Sequence, residues 1–302
     1  MTDLADEWLL TLGTVSEATR TVYGRSVRQL IAWLAAAHPD VREPEQVVRR
    51  HLDAWMAHLT EQGRSEGTRR VRLIAARLFF AYLVEEPDIP VTANPAERIA
   101  LPTPREHVVP VVPDADLRAL LAVCTGASFV DLRDAALLRV LIDTGCRRGE
   151  VSGIDFADLD LRTQDVTLRR TKGGHERVVP VGAKTAVALR KYLRARARRP
   201  AAGAPALFLS IRPDDHGSWR ISGEGVARML ARRCALAGLP ALHPHQLRHT
   251  WAHDQLAHGA QESDVERLAG WRSPTMVRRY GASAAAERAR DSARRLARGD
   301  RV

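Results

Sequence analysis

Seven prolines fall between residues 87 and 113: Pro87, Pro90, Pro95, Pro102, Pro104, Pro110 and Pro113. Each fixes its own φ and lacks a backbone N–H, so neither a long helix nor a central strand can run through this stretch. The stretch divides a chain of 302 residues, a length that suits two domains with proper cores. The sequence therefore predicts one domain over residues 1–100, a linker over 101–107 and a second domain over 108–302. No internal repeat or low-complexity block interrupts either part.

The first part reads as helices only. Ser16 suits an N-cap, and Tyr23, Val27, Leu30, Ile31 and Leu34 follow it at helical spacing. Pro44 suits the first turn of a helix carrying Leu52, Trp55, Met56 and Leu59, which Gly63 ends. Ser65 opens another, with Val71, Ile74, Leu78 and Tyr82 predicted on its buried face. A weaker helix covers about Leu4 to Leu12. Arg20, Arg25, Arg28, Arg69, Arg70, Arg72 and Arg77 are placed on polar faces, as a solvated surface or a track for phosphates.

The second part opens with helices over about Asp114–Cys124 and Asp131–Asp143, the latter stopped by Gly145. One β hairpin is legible. Val166, Leu168 and Arg170 alternate with Thr167 and Arg169, and Lys172-Gly173-Gly174-His175 makes the turn. Val178, Val179 and Val181 return. From Ala183 onward the pattern is helical again, ending in an arginine-rich tail.

Composition narrows the function classes. Lys and Arg number 46 against 36 acidic residues, a net charge of +10. Three are lysines, at 172, 184 and 191, leaving 43 arginines. Such a surplus fits a polyanionic partner, and it also fits a GC-rich genome, because Asn occurs only at Asn94. No apolar run reaches the ~18–20 residues of a membrane span. The start carries Asp3, Asp6 and Glu7 in place of a basic leader. Cys124, Cys146 and Cys234 are too scattered for a disulfide framework or a zinc knuckle. The expected setting is cytoplasmic.

Four clusters carry polar chemistry. In Thr144–Glu150 a glycine breaks one helix and starts another, and Arg147 can pair with Glu150 as a surface ion pair. Lys172 sits on the hairpin turn, either as an ordinary turn lysine or as a long side chain reaching into a cleft, where it can donate a proton. Pro244 starts a helix on which His245 and Arg248 share a face. His249 and His253 have metal-ligand spacing, but no Glu or third ligand completes a zinc motif. Gly270-Trp271 precedes Ser273-Pro274, a helix start, so Trp271 and Tyr280 lie on different helices, as core aromatics or as a site pair.

Taken in order, Arg147, hairpin Lys172, His245-x-x-Arg248, Gly270-Trp271 and Tyr280 resemble the tyrosine recombinase (phage integrase) family. The matching stretches are Thr144–Glu150, Lys172–Pro180, His245–Thr250 and Leu268–Tyr280. The resemblance implies a mainly α tyrosine recombinase fold. It comprises a helical, SAM-like core-binding domain and an α+β catalytic domain with a small antiparallel sheet. It implies site-specific cleavage and rejoining of DNA through a 3′-phosphotyrosine, with neither metal nor cofactor nor ATP. Tyr280 is then the nucleophile, His245 the proton acceptor, Arg147 and Arg248 the phosphate clamp, and Lys172 the acid for the leaving 5′ oxygen. Glu150 buttresses the helix presenting Arg147.

One position departs from the common pattern. Trp271 stands where most members carry His. An indole N–H can donate to a phosphate but cannot shuttle a proton. The implied partners are double-stranded DNA and three further copies, or a related recombinase, in a tetramer on two sites, with no membrane and a place on the nucleoid. The two domains would close around the duplex as a clamp, and residues 284–302 would dock on a neighbour. The layout resembles the simpler Xer-like type, without an added arm-binding domain. Type IB topoisomerase activity and a non-catalytic DNA-binding relative are the competing readings. A metal-dependent hydrolase is a third, distinguished by its sensitivity to EDTA.

Overall fold

The computed structural model describes residues 1–103, 110–169, 176–271, 277, 289–290, 293–297 and 299–301. Its contacts separate two units, Met1–His107 and Val108–Val302.

The first unit is helical: α1 (Thr2–Thr11), α2 (Glu17–Ala37), α3 (Arg49–Glu61) and α4 (Glu66–Glu85). Ser16 and Ser65 cap α2 and α4 as expected, their Oγ atoms accepting from the backbone N–H of Thr19 and Thr68 at 3.3 and 3.2 Å. Each such cap contributes about 1 kcal/mol. Trp8, Leu30, Leu34, Leu52, Trp55, Phe79 and Phe80 form the core.

Two expectations are corrected here. Pro44 does not start α3; it opens a separate 3₁₀ turn, Pro44–Gln46. The Gln46 side chain closes that turn by accepting from the N–H groups of Arg42 and Glu43. Helix α3 begins only at Arg49, where His51 Nδ1 accepts from the Val48 N–H at 3.2 Å. The buried face of α4 is also rotated. Leu73, Ala76, Phe80 and Leu83 are buried, while Leu78 is 41% exposed. The helix is apolar on most sides, so spacing alone is ambiguous, and the bulk of Phe79, Phe80 and Leu83 decides which face gains most by burial. Arg77 and Arg70 do not simply face solvent: Arg77 donates to the carbonyls of Ala96 and Ile99, and Arg70 to Pro102. They pin the proline-rich strap to α4.

The second unit is built on α6 (Phe129–Thr144), which α5 (Asp114–Ala122) precedes in the chain. Leu137, Leu138, Val140 and Leu141 are all buried, so α6 is enclosed on several sides rather than amphipathic. After α7 (Arg148–Gly153) comes an antiparallel sheet in the order β1 (Leu159–Asp160), β2 (Asp165–Leu168), β3 (Arg177–Pro180). Val166 opposes Val179 and Leu168 opposes Arg177. Val166, Leu168 and Val179 face the core, while Val178 is exposed. The two-residue β1 is too short to have been read from alternation.

Helices α8 (Ala183–Arg196), α9 (Gly223–Leu236), α10 (Pro244–Ala257) and α11 (Glu262–Ala269) follow. The expected continuous return to helix fails over residues 197–222. Pro200, Gly203, Pro205, Pro213 and Gly217 interrupt it, and the stretch instead makes isolated bridges, Asp155 with Ala206 and Leu209 with Arg220. The expected arginine-rich tail lies largely outside the described residues. No helix among the described residues is long and apolar enough to cross a membrane.

Candidate active site

The elbow between α6 and α7 sets the geometry. Gly145 adopts φ +56° and closes α6, its N–H donating to Leu141 O at 3.0 Å. A side chain is excluded twice over: the backbone is left-handed, and a Cβ would lie 2.5 Å from the Trp251 ring. Thr144 Oγ1 donates to Val140 O and accepts from the Cys146 N–H. The chain thereby turns to place Arg147 at the N-cap of α7.

Arg147 and Glu150 pair as predicted, but not on the surface. Glu150 is buried, and one of its oxygens accepts from the Arg147 N–H at 2.8 Å while the other accepts from its guanidinium at 2.8 Å. Arg177, from the start of β3, forks onto the same carboxylate at 3.2 and 2.8 Å. Burial alone would raise the carboxyl pKa. Bonds from Arg177 and from the backbone and side chain of Arg147 outweigh it, and the pKa is lowered. Arg177 is a site residue that spacing missed. It is one arginine among 43, and its partners lie 27 and 91 residues away.

Helix α10 begins as read, with Pro244 in its first turn and the Gln246 side chain accepting from the His243 N–H. His245 is exposed at this rim. One turn on, Arg248 is 1% exposed. The shared face thus spans the boundary between solvent and core. The Arg248 guanidinium donates to Gly145 O at 2.8 Å and to Ala269 O at 2.7 Å. One bond ties it to the elbow two residues before Arg147, the other to the end of α11 two residues before Trp271.

Gly270 (φ +66°) ends α11, and the Trp271 N–H turns back to Glu266 O at 3.0 Å. The Trp271 ring is buried with Trp251, Leu256, Val265 and Val277. The Arg248 guanidinium carbon lies 5.1 Å from its centroid, a cation–π contact.

The structure therefore places Arg248 against Trp271 and on the carbonyl two residues before Arg147, with His245 one helical turn from Arg248. Lys172 and Tyr280 lie outside the described residues, as do Ser273 and Pro274. His249 is buried, and no group of three or more His, Cys, Asp or Glu side chains among the described residues is arranged to hold a metal. Cys124, Cys146 and Cys234 are buried free thiols, and burial pushes Cys146 up to about 11. It is not poised as a nucleophile.

Comparison with known proteins gives a consistent picture. Residues 111–287 match the phage integrase family, and residues 6–87 match the phage integrase N-terminal SAM-like domain. The chain is 34% identical over 268 residues to tyrosine recombinase XerC of Pelobacter propionicus, spanning 88% of this chain and 85% of that protein. It is 30% identical over 293 residues to tyrosine recombinase XerD of Bifidobacterium longum, spanning 92% of each. Among solved structures, the Tn1549 transposon integrase in complex with transposon right end DNA superposes with a TM-score of 0.73 at 19% identity, covering 98% of this chain and 99% of that one. The XerH site-specific recombinase bound to palindromic difH substrate gives the same TM-score, 0.73, at 16% identity, covering 97% and 84%. These last two likenesses concern the fold. A mainly helical chain with a small antiparallel sheet, an N-terminal SAM-like part and a catalytic part matched over most of its length belongs to the phage integrase family of tyrosine recombinases.

Proposed function

We propose that the protein is a site-specific DNA recombinase that cuts and rejoins strands through a 3′-phosphotyrosine. The observation that carries this reading is the anchoring of Arg248 on Gly145, in the elbow that presents Arg147, with Trp271 against the same guanidinium. In this reading Arg147 and Arg248 supply the cations for the non-bridging oxygens of a phosphodiester and for the charge that grows on them during displacement.

In this scheme the Tyr280 oxygen attacks phosphorus, and its proton passes to His245, which is exposed and able to exchange it. A free phenol has a pKa of about 10, so the arginine field favours its ionised form. The P–O5′ bond breaks as Lys172 gives the leaving oxygen a proton, and a 5′-hydroxyl remains. The phosphotyrosine keeps the bond energy, so a 5′-hydroxyl from a partner strand can reverse the step and restore the tyrosine. Trp271 donates a hydrogen bond or packs; it moves no proton. Double-stranded DNA is the partner, bound largely through phosphates and therefore steeply salt-dependent. Four copies on two duplexes complete the exchange.

The test is covalent trapping on nicked duplexes drawn from the DNA flanking the gene. The unchanged chain should form a protein–DNA adduct and Tyr280→Phe should form none while still binding. An adduct surviving in Tyr280→Phe would move the nucleophile elsewhere. Relaxation of plasmids lacking any such site would instead indicate a topoisomerase.

A further inference from the structure

We propose that Arg177 is a positioning residue that sets how strongly Glu150 holds Arg147, and that ties the β hairpin to both the α6–α7 elbow and the Trp271 turn. The proposal rests on the recombinase reading for its kinetic consequence, and on geometry for the rest.

Three contacts meet at this one guanidinium. Its outer nitrogens fork onto both oxygens of Glu150 at 3.2 and 2.8 Å. Its Nε donates to Leu268 O at 2.8 Å, two residues before Gly270. The group also lies close against Gly270, where an added Cβ would fall 2.9 Å from a guanidinium nitrogen and 3.2 Å from its central carbon. The side chain is 9% exposed and that of its carboxylate partner 2%. So strand β3, the helix that presents Arg147 and the turn that presents Trp271 share one buried joint. Only a planar fork reaches these separated acceptors at once; a lysine's three donors radiate from one nitrogen.

The charge balance gives the joint a second role. Glu150 carries one negative charge and faces two guanidiniums, Arg147 and Arg177. With Arg177 present, the carboxylate is already neutralised, and Arg147, whose side chain is 33% exposed, has charge to offer outward. Without Arg177, the same buried carboxylate draws on Arg147 alone. The net charge of the cluster then falls from +1 to 0 beside the place where a phosphate would sit.

The experiment is a double-mutant cycle on the full chain with Arg177→Ala and Glu150→Gln, read as the rate of covalent adduct formation on nicked DNA at saturation and, separately, as DNA affinity. Arg177→Ala should slow adduct formation on the order of 100-fold, the scale of a small misplacement at a reacting centre, with affinity little changed. In the Glu150→Gln background the same substitution should cost much less, because no carboxylate remains to neutralise Arg147. An equal cost in both backgrounds, or a loss confined to affinity, would overturn the proposal. Should Arg177→Ala not fold, Arg177→Lys keeps the charge and loses the fork; adduct formation equal to that of the unchanged chain would then overturn it. If the unchanged chain forms no adduct on any duplex, the recombinase reading fails. Amide exchange then decides the joint: Arg177→Lys should speed exchange in both 146–151 and 267–271, and exchange unchanged in either stretch would refute it.

Discussion

Two glycines in one short motif, Gly145 and Gly149, should respond to alanine with opposite signs. Gly145 closes α6 in the left-handed region at φ +56°, and its Cβ would lie 2.5, 2.6 and 2.9 Å from three atoms of the Trp251 ring. The left-handed backbone costs a residue with a side chain about 1–2 kcal/mol. Forcing a methyl into a packed interior adds about 1–3 kcal/mol, because Trp251 is itself buried among Leu256, Val265 and Trp271 and cannot swing clear. Gly145→Ala should therefore destabilise the Val108–Val302 unit by about 2–5 kcal/mol. Gly149 lies inside α7, is exposed, and has nothing within 4 Å of where its Cβ would be. Alanine there removes backbone freedom from the unfolded chain and should stabilise by about 0.5–1 kcal/mol. For a unit of this size about 1 kcal/mol moves the thermal midpoint by roughly 2–4 °C. Calorimetry should then show a fall of at least about 4 °C for Gly145→Ala and a rise of about 1–4 °C for Gly149→Ala. Adduct formation should fall in Gly145→Ala as well, since Arg248 is anchored on the Gly145 carbonyl. Equal midpoints for the two variants would show that Trp251 yields and that the elbow is not held as described.

Other outcomes follow from the same contacts. Arg248→Ala removes two charge-assisted bonds to backbone carbonyls, each worth about 1.5–3 kcal/mol, and should lower the denaturation midpoint and abolish the adduct; an adduct of normal yield would remove Arg248 from the clamp. Arg196→Lys should destabilise by about 1–3 kcal/mol, losing two of the three bonds to Ala202, Ala204 and Ala206, whereas Arg118→Lys in an exposed pair should change urea stability by less than about 0.5 kcal/mol. His51 has its pKa lowered first by burial, then by His38 and Arg50, with Asp40 opposing. A lowered folded value means the unfolded chain takes the proton first, so the Met1–His107 unit should be stable above the usual histidine value and lose stability as pH falls below about 6.5. His51→Asn should flatten that part of a melting-temperature profile from pH 7 to 5, and an unchanged slope would clear His51.

What could be read from the sequence divides along the range of the interaction. Caps and left-handed stops are local chemistry, so Ser16, Ser65 and Gly145 were legible from one residue and its neighbours. The hairpin was legible because alternation repeats within a few positions. The face of α4 was not, because Val71, Ile74 and Leu78 are as apolar as Leu73 and Ala76, and only the partners α1, α2 and α3 decide which side is enclosed. Glu150 looked like half of a surface pair because its nearest cation is three residues away. Its burial and its second cation come from β3, which no local pattern joins to α7. The order of Arg147, Lys172, His245, Arg248 and Tyr280 did resemble a family, because a motif order can be read along the chain even where the spatial relations of its groups stay invisible.

The arginine surplus also changes meaning once the contacts are known. A net charge of +10 invites a picture of cations spread over the surface for a polyanion. Yet Arg133, Arg196, Arg233 and Arg248 are all buried, and each donates to a backbone carbonyl: Leu209, Ala202, Val123 and Gly145 among them. Long irregular stretches such as 197–222 leave carbonyls without helix or sheet partners, and a buried carbonyl without a donor is costly. A guanidinium with five N–H donors can satisfy several at once, which an ammonium on a flexible stem does less well. A composition bias toward arginine has thus been absorbed into loop closure, and Arg248 shows the two uses joined. The same fork that satisfies Gly145 and Ala269 is held, by that satisfaction, against Trp271 and on the elbow that leads to Arg147, so one arginine serves both the loops and the candidate site.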